Sequence, residues 1–437
     1  MISYSEKITP ILNKIILVSL FTFAAFSMFS ISIAQIAAGV GGTAWLFRTH
    51  ITKDWHGQYW PLGIPITLFT LACIVAVIFA YDTSYSYKEL KKLLEILIFF
   101  WVVNCIREKC LRDSLSTLLI ISATLACLYG FYQGWNDGVG ILHRTEGTMS
   151  VYMTFAGIIM LAGMHASGKL LFRRPVEPLL LPALLIISFC LLLTYTRQAW
   201  FGFLIGLFFL ISIWRKKQAA IISSVIIVLI LAYGSEIHSK LDDLTAMQKT
   251  VTLDSGKQIK LWQWGHSTSN FIGHLKYRIN RMLNPGEDNT FLMRKVLWKG
   301  GLEIFKDHPL TGCGFKCVDL IHTQYPDPTG HISRLRGMHN NFIQLAVDTG
   351  ILGLSAWLSI WVCFFLIMYK RAKNLASDQS SKWVIAGSSA AVIAFLAGGC
   401  FESNFYDSEV AMLLYFIMAL PFADPNTDKP IKLSEEV

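Results

Sequence analysis

The sequence predicts an all-α integral membrane protein with about 12 transmembrane helices. Three observations support this prediction. Only 15% of the 437 residues are charged, whereas a soluble domain carries roughly 25% charged residues. Hydrophobic residues make up 54% of the chain, and its mean hydropathy is +0.48. The apolar residues are gathered into runs, many of them near the ~20 residues that one helix needs to cross a bilayer.

Each apolar run predicts one span, in order along the chain. Several runs are shorter than ~20 residues, and we expect them to extend into their flanks. The first two lie in one unbroken apolar stretch between Lys14 and Arg48, which predicts either two spans or one long helix. The predicted spans are 15–30, 31–47, 61–80, 93–106, 115–134, 149–166, 178–196, 199–214, 219–234, 350–369, 383–400 and 408–424.

Basic residues in the short loops predict the orientation of these spans. The loops on one side, together with both termini, hold about 19 lysines and arginines, against about five on the other side. Because basic loops stay in the cytoplasm, we expect both termini to be cytoplasmic and the long polar region to face the periplasm. The net charge of +9 then indicates orientation and anionic lipid-linked substrates, and we expect no nucleic-acid partner.

The long polar region is the part of the chain with room for a folded subdomain outside the membrane. Residues 270–283 place apolar and basic side chains at helical spacing, which predicts an amphipathic helix at the lipid surface. A second helix is predicted from about Thr290 to Lys306. The predicted organisation is 1–234, a membrane bundle of about nine helices; 235–345, the periplasmic loop subdomain; 346–424, about three further membrane helices; and 425–437, a cytoplasmic tail.

Patterns typical of cofactor and metal sites are missing from the sequence. It contains no nucleotide-binding glycine loop and no D-x-D motif. Cys313 and Cys317 lie together in the polar region without a companion pair, so a structural zinc site is not expected. Whether these two cysteines form a disulfide is left open. We therefore expect neither a cofactor nor a metal.

Three basic residues are candidates for chemistry. Arg197 lies between two apolar runs on the side with few basic residues, so it is either an interfacial anchor or a ligand for an anion. Arg294 is one helical turn from Trp298, which predicts either a solvated charge or a rigidly held one. His339 follows Arg334 and Arg336 and precedes two asparagines at the start of a membrane helix.

The predicted spans place these residues on one face of the membrane. Two spans, 199–214 and 219–234, separate Arg197 from His339, so both emerge on the same side, and Arg294 precedes His339 in the same loop. The planar fork of arginine suits phosphate oxygens, and a histidine can accept a proton at neutral pH. The combination predicts attack by a hydroxyl on a sugar joined to a pyrophosphate, with arginines stabilising the leaving group.

The residues around His339 resemble a motif of the bacterial O-antigen ligases. These belong to a superfamily that also contains O-antigen polymerases and some protein O-glycosyltransferases. The motif is H-[N/S/Q]-x9-G-x-x-G, represented here by His339, Asn340, Gly350 and Gly353. TRQAW follows an apolar helix, and R-x-x-x-W followed by KDHPLTGCG precedes the histidine. The resemblance covers the whole membrane plan.

The resemblance implies a metal-independent enzyme of the inner membrane with a glycosyltransferase C-type architecture and an active site that faces the periplasm. Such enzymes move a glycan en bloc from undecaprenyl pyrophosphate to a sugar of lipid A–core, with inversion at the anomeric carbon. The implied general base is His339, and the implied ligands of the pyrophosphate are Arg197 and Arg294. Arg278 and Arg281 are alternatives to Arg294. Arg336 and Asn340 are candidates for supporting the site. Glu402 and Asp407 are both candidates for orienting the histidine or an arginine, and the sequence does not rank them.

Two alternatives remain beside the ligase interpretation. An O-antigen polymerase would share the donor and extend one lipid-linked glycan with another. A polysaccharide flippase or other transporter would often show internal repeats and charges deep within its spans, but here only Glu95 lies clearly inside a predicted span. The size of the chain and the complete histidine–glycine motif favour the ligase.

Overall fold

The computed structural model describes residues 4–138, 140, 143–214, 249–252, 258–261, 273, 279, 289–327, 329–374 and 381–423. The first part of the chain forms α1 (Tyr4–Phe26), α2 (Ile31–Thr52), α3 (Gly63–Ile78), α4 (Thr83–Tyr87), a 3₁₀ helix (Lys88–Ile96), α5 (Leu97–Cys105), α6 (Lys109–Asp137), α7 (Tyr152–Phe172), α8 (Leu180–Leu193) and α9 (Arg197–Trp214).

The second part begins with two strands, β1 (Lys249–Thr252) and β2 (Gln258–Leu261). It continues with α10 (Asn289–Asp307), α11 (Val318–Ile321), a 3₁₀ turn (His322–Gln324), α12 (His331–Leu335), α13 (Asn341–Asn374), α14 (Lys382–Gly398), a 3₁₀ turn (Asn404–Tyr406), α15 (Ser408–Ala419) and a final 3₁₀ turn (Leu420–Phe422).

Five of the described helices are long and apolar enough to cross a membrane: Lys7–Phe26 within α1, Lys109–Asn136 within α6, and the whole of α7, α9 and α13. Shorter apolar helices are α3, α8, α14 and the segment Ser408–Phe422. The chain is therefore a helical, multi-pass membrane protein. A total of about 12 spans stays a prediction, because span 219–234 lies outside the described residues.

The apolar stretch between Lys14 and Arg48 forms two helices, which decides between the two alternatives. The Ser30 hydroxyl accepts the Ile33 N–H (3.4 Å) and caps the start of α2. Near the other end of α2, the Arg48 guanidinium donates to the side-chain oxygen of Asn13 in α1 (3.0 Å). The two helices therefore run antiparallel.

Two segments differ from the predicted elements. Predicted span 93–106 begins within the 3₁₀ helix, where Glu89 pairs with Lys316 of the large loop (2.9 Å). These charged residues hold the segment against the loop, so only Leu97–Cys105 is α-helical. The described chain is also not entirely helical, since β1 and β2 pair antiparallel. The predicted helix Thr290–Lys306 is confirmed as α10, whereas the amphipathic helix 270–283 lies outside the described residues except for positions 273 and 279.

Two helices that are buried on all sides form the core of the membrane part. Residues Phe155–Lys169 of α7 and Val410–Ala419 of α15 are buried along their whole length. A helix that is apolar all round is one that neighbouring helices surround. Both helices begin at the face that carries the candidate site. α15 follows the segment 399–407 described below, and Thr154 at the start of α7 donates to Asp407 of that segment (2.5 Å).

Small residues on α9 allow it to pack closely against α14. A Cβ at Gly202 would lie 2.4 Å from the carbonyl oxygen of Ala394, and one at Gly206 would lie 3.0 Å from that of Ala390. Within lipid, close backbone approach through such small residues favours helix association. The contact fixes Arg197, the first residue of α9, beside the end of α14.

Candidate active site

The segment 399–407, between α14 and α15, holds the turn that carries His339. The Asn341 N–H donates to the Gly399 carbonyl (2.8 Å), and the Asn341 side-chain amide donates to the side-chain oxygen of Asn404 (2.5 Å). Asn341 is completely buried, so both bonds are shielded from water and are costly to leave unmade. The segment and the turn are therefore fixed relative to each other.

Asn340 fastens the same turn and starts the helix that follows. Its side-chain oxygen accepts the N–H groups of Phe342 (2.9 Å) and Ile343 (3.1 Å), which makes it the N-cap of α13. Its amide nitrogen donates to the Cys400 carbonyl (2.8 Å). The two asparagines after His339 thus position the histidine through the backbone.

The imidazole of His339 contacts Glu402. The distance from Nδ1 to the Glu402 Oε1 is 2.9 Å. A neutral imidazole that donates from Nδ1 keeps Nε2 as its acceptor nitrogen. The backbone of His339 is left-handed, with φ 45°. Such a conformation costs about 1–3 kcal/mol and persists only where the surroundings enforce it.

Arg294 reaches the same carboxylate from α10. Its Nη2 lies 3.7 Å from the Glu402 Oε2. One turn further along α10, the Trp298 indole N–H donates to the Met338 carbonyl (3.0 Å), immediately before His339. The R-x-x-x-W pattern therefore supplies one residue that pairs with Glu402 and one that holds the turn at His339.

The charge of Glu402 depends on these partners. Burial alone would raise the pKa of the Glu402 carboxyl. The hydrogen bond and the charge of His339, then the charge of Arg294 and the Ser403 N–H, outweigh burial and lower the pKa below its ordinary value. Glu402 is therefore a carboxylate at neutral pH, suited to orienting an imidazole and to stabilising it when it becomes protonated.

Arg197 lies next to this cluster at the start of α9. The side-chain amide of its neighbour Gln198 is 3.5 Å from the Glu402 Oε2. Arg144, in the segment before α7, stacks over the Tyr152 ring at 4.3 Å. Burial, and to a smaller degree the positive charge of Arg197, lower the pKa of Arg144 against the opposing effect of Tyr152.

A break in α13 at Gly350 joins the two glycine-containing motifs. Gly350 has φ 64° and ψ −166°, a combination that only glycine adopts readily. The N–H of Ile351 donates to the Pro309 carbonyl (2.9 Å), and the N–H of Cys313 donates to the Val347 carbonyl (2.9 Å). The segment HPLTGCG thus satisfies the backbone groups that the break leaves without helical partners. A disulfide within this region joins Cys313 to Cys317.

The chain is similar to known proteins over part of its length. Residues 182–358 match the family model described as O-antigen ligase. The similarity to the O-antigen ligase family therefore covers part of the chain, residues 182–358. The exopolysaccharide production protein ExoQ of Rhizobium meliloti (strain 1021) is 30% identical over 101 residues, which are 22% of this chain and 23% of the relative. The match thus spans about a quarter of that relative's length, and the resemblance to the O-antigen ligase and polymerase superfamily is confirmed.

The matched residues 182–358 contain Arg197, Arg294 and His339, but Glu402 lies beyond their end. The structure brings Arg294 and His339 together through Glu402 and places Arg197 beside them. Asp407, the other acidic candidate, instead accepts the Thr154 hydroxyl (2.5 Å).

Of the remaining candidates, only Asn340 touches the segment that carries Glu402. The exposed Arg336 donates to the Ser333 carbonyl (3.2 Å) near its own helix. Arg278 and Arg281, the rivals of Arg294, lie outside the described residues.

Three residues next to the candidate site, of which Gln344 and Asp348 are buried and Tyr406 is half-buried, were not identified from the sequence. Gln344 and Asp348 lie one turn apart on α13, and Tyr406 follows Glu402 in the segment 399–407. A signal was present, because a carboxylate four residues after a glutamine within an otherwise apolar helix start is costly unless it is hydrogen-bonded. In the sequence, Arg144 is one of the few basic residues in the short loops on the side of Arg197, and no pattern marks it as part of a site.

Proposed function

We propose that this protein is an O-antigen ligase of the bacterial inner membrane. It transfers a glycan en bloc from undecaprenyl pyrophosphate to a sugar hydroxyl of lipid A–core, inverts the anomeric carbon and uses no metal. The observation that carries the proposal is the contact of His339 and Arg294 with one half-buried carboxylate, Glu402. The match of residues 182–358 to the O-antigen ligase family supports the class of reaction.

In the proposed reaction, His339 is the general base. Its Nε2 takes the proton of the acceptor hydroxyl while that oxygen attacks the anomeric carbon of the donor sugar. Glu402 holds Nδ1, so that Nε2 faces the substrate, and stabilises the imidazolium that forms. Attack from the face opposite the pyrophosphate inverts the anomeric configuration.

The arginines act on the leaving group. As the bond from the anomeric carbon to the pyrophosphate oxygen breaks, the electron pair stays on the pyrophosphate. Arg197 and Arg294 stabilise that charge through charge-assisted hydrogen bonds. Undecaprenyl pyrophosphate is already a good leaving group and needs no proton donor. The site in this proposal faces the periplasm, both termini are cytoplasmic, and residues 235–345 form the periplasmic subdomain.

Polymerisation is the second candidate, and the similarity to a protein of exopolysaccharide production favours it. A polymerase would use the same base and arginines, but its acceptor would be a second glycan on undecaprenyl pyrophosphate. The two functions therefore differ in the acceptor and not in the chemistry of His339.

One experiment tests the proposal. The purified full-length protein is given glycan-loaded undecaprenyl pyrophosphate and lipid A–core, without nucleotide or divalent metal. We expect full lipopolysaccharide to form, and we expect His339→Ala to abolish transfer while the protein still inserts into the membrane. Extension of the lipid-linked glycan would instead identify a polymerase. Transfer to neither acceptor, or near-normal transfer by His339→Ala, would contradict the proposed mechanism.

A further inference from the structure

A buried carboxylate lies between His339 and the break in α13. Asp348 is 1% exposed, and two side chains make three contacts with its carboxyl group. The Gln344 amide nitrogen lies 3.1 Å from Oδ1 and 3.2 Å from Oδ2. The Tyr406 hydroxyl donates to Oδ2 at 2.5 Å. Taking an unpaired carboxylate out of water costs several kcal/mol, so these donors account for its presence in the core of the protein.

The carboxylate fixes the direction in which Gln344 points. In the structure the amide nitrogen of Gln344 faces Asp348, whose two side-chain oxygens accept from it. The amide oxygen then faces the other way and accepts the N–H of Met338 (2.8 Å). Met338 immediately precedes His339, whose left-handed backbone needs enforcement from its surroundings.

Asp348 also contacts the segment that carries Glu402, through Tyr406. Tyr406 belongs to that segment, and its carbonyl oxygen accepts the Lys92 ammonium (2.8 Å). Asp348 therefore contacts one side chain that holds the backbone beside His339 and another that lies four residues after Glu402. The distance between the imidazole and its carboxylate depends on both attachments.

We propose that Asp348 is a positioning residue that sets the geometry of the His339–Glu402 pair through Gln344 and Tyr406. The inference rests on the proposed function, because the pair matters for catalysis only if His339 is the base. Asp348 touches no substrate in this proposal. Its loss lets the histidine turn and the Glu402 segment shift relative to each other.

The test measures glycan transfer by the purified full-length protein with glycan-loaded undecaprenyl pyrophosphate and lipid A–core. We expect Asp348→Leu to lower kcat by about 10- to 100-fold, since a displacement of about 1 Å can cost a rate factor of that size. The KM values should change by less than about twofold, because the arginines stay in place. Asp348→Asn should recover part of the loss, since its oxygen can still accept from Gln344.

A double-mutant cycle separates positioning from general damage to the fold. If Asp348 acts through the His339–Glu402 pair, then Asp348→Leu causes little further loss of transfer in a Glu402→Gln background, which keeps the base but not its carboxylate. The matched control is Gln58→Leu. Gln58 is buried, accepts the Trp45 indole N–H (2.8 Å) and donates to the exposed Asp54 (3.2 Å), so it is also a glutamine bonded to a carboxylate, near the last residue of α2. We expect the control to keep its kcat.

The possible outcomes separate the two proposals. Absence of transfer by the wild-type protein to either acceptor would refute the proposed function, and the inference with it. Normal transfer by the wild type and an unchanged kcat for Asp348→Leu would refute the inference alone. So would a full further loss of kcat in the Glu402→Gln background. If Asp348→Leu does not insert, then Asp348→Asn and Tyr406→Phe test the same network, and unchanged kcat in both refutes the inference.

Discussion

At the scale of single residues, Glu402 is the group on which the candidate site converges, because His339, Arg294 and Gln198 all approach its carboxylate. The sequence places Glu402 and Asp407 in one short segment and gives no reason to rank them. Asp407, five residues after Glu402, instead accepts a hydrogen bond from the Thr154 hydroxyl. Only the three-dimensional path of the segment distinguishes the two, whereas the histidine and both arginines follow from topology and motif.

The lowered pKa of Glu402 predicts an effect of pH on stability. Its folded pKa lies below its unfolded value, so the ionised group stabilises the fold above the ordinary glutamate pKa of about 4.3. This contribution is lost as the pH falls from about 4.3 through the lower folded value. We expect Tm to fall more steeply below about pH 4.3 for the wild type than for Glu402→Gln. Parallel Tm curves in the same detergent would contradict this.

The arginines are expected to contribute to donor binding through their fork geometry. Arg197→Lys and Arg294→Lys each replace a planar guanidinium by a point charge. We expect the KM for the lipid-linked donor to rise about tenfold, equivalent to about 1.4 kcal/mol, while the KM for the acceptor stays the same. Steady-state kinetics with each substrate varied in turn measure this effect. Arg174→Lys, at an exposed residue before α8, serves as the control, and an equal effect there would rule out a specific role.

At the scale of elements, Gly350 gives a physical reason for the first glycine of the H-[N/S/Q]-x9-G-x-x-G motif, because its backbone conformation breaks α13. The sequence predicts a membrane helix that begins at about this glycine. It does not reveal that a short helix, 341–349, precedes the break and carries the site. The reason is that the partner of the break, Pro309–Gly314, lies about 40 residues earlier in the chain. Local patterns cannot show that two distant motifs exchange backbone hydrogen bonds.

Substitution of Gly350 tests this role of the break. In Gly350→Ala the new Cβ would lie 2.2 Å from the Leu310 carbonyl oxygen, and the positive φ adds strain. We expect a loss of about 1–3 kcal/mol of stability from the backbone conformation alone, together with loss of transfer. Gly39→Ala in α2 is the matched control, because a Cβ there meets nothing within 4 Å. Its Tm should stay the same or rise slightly, and equal effects of both substitutions would contradict the proposed role.

At the scale of the whole molecule, composition predicted the class of protein, and apolar runs predicted most of the helices. The runs could not predict where close packing occurs. Gly202 and Gly206 lie against carbonyl oxygens of α14, and this contact brings Arg197 to the segment that carries Glu402. Such contacts join elements that are nearly 200 residues apart, so they depend on the assembled bundle rather than on any local period.

The predicted orientation can be tested on the intact membrane. If both termini are cytoplasmic, then the loop that contains α10 faces the periplasm, whereas the segment between α5 and α6 faces the cytoplasm. Lys306→Cys introduces a thiol at a side chain that is 67% exposed, and Cys110 is an exposed free cysteine at the start of α6. A membrane-impermeant maleimide should label Lys306→Cys in intact spheroplasts and Cys110 only after permeabilisation. The reverse pattern would place His339 on the cytoplasmic face and exclude transfer in the periplasm.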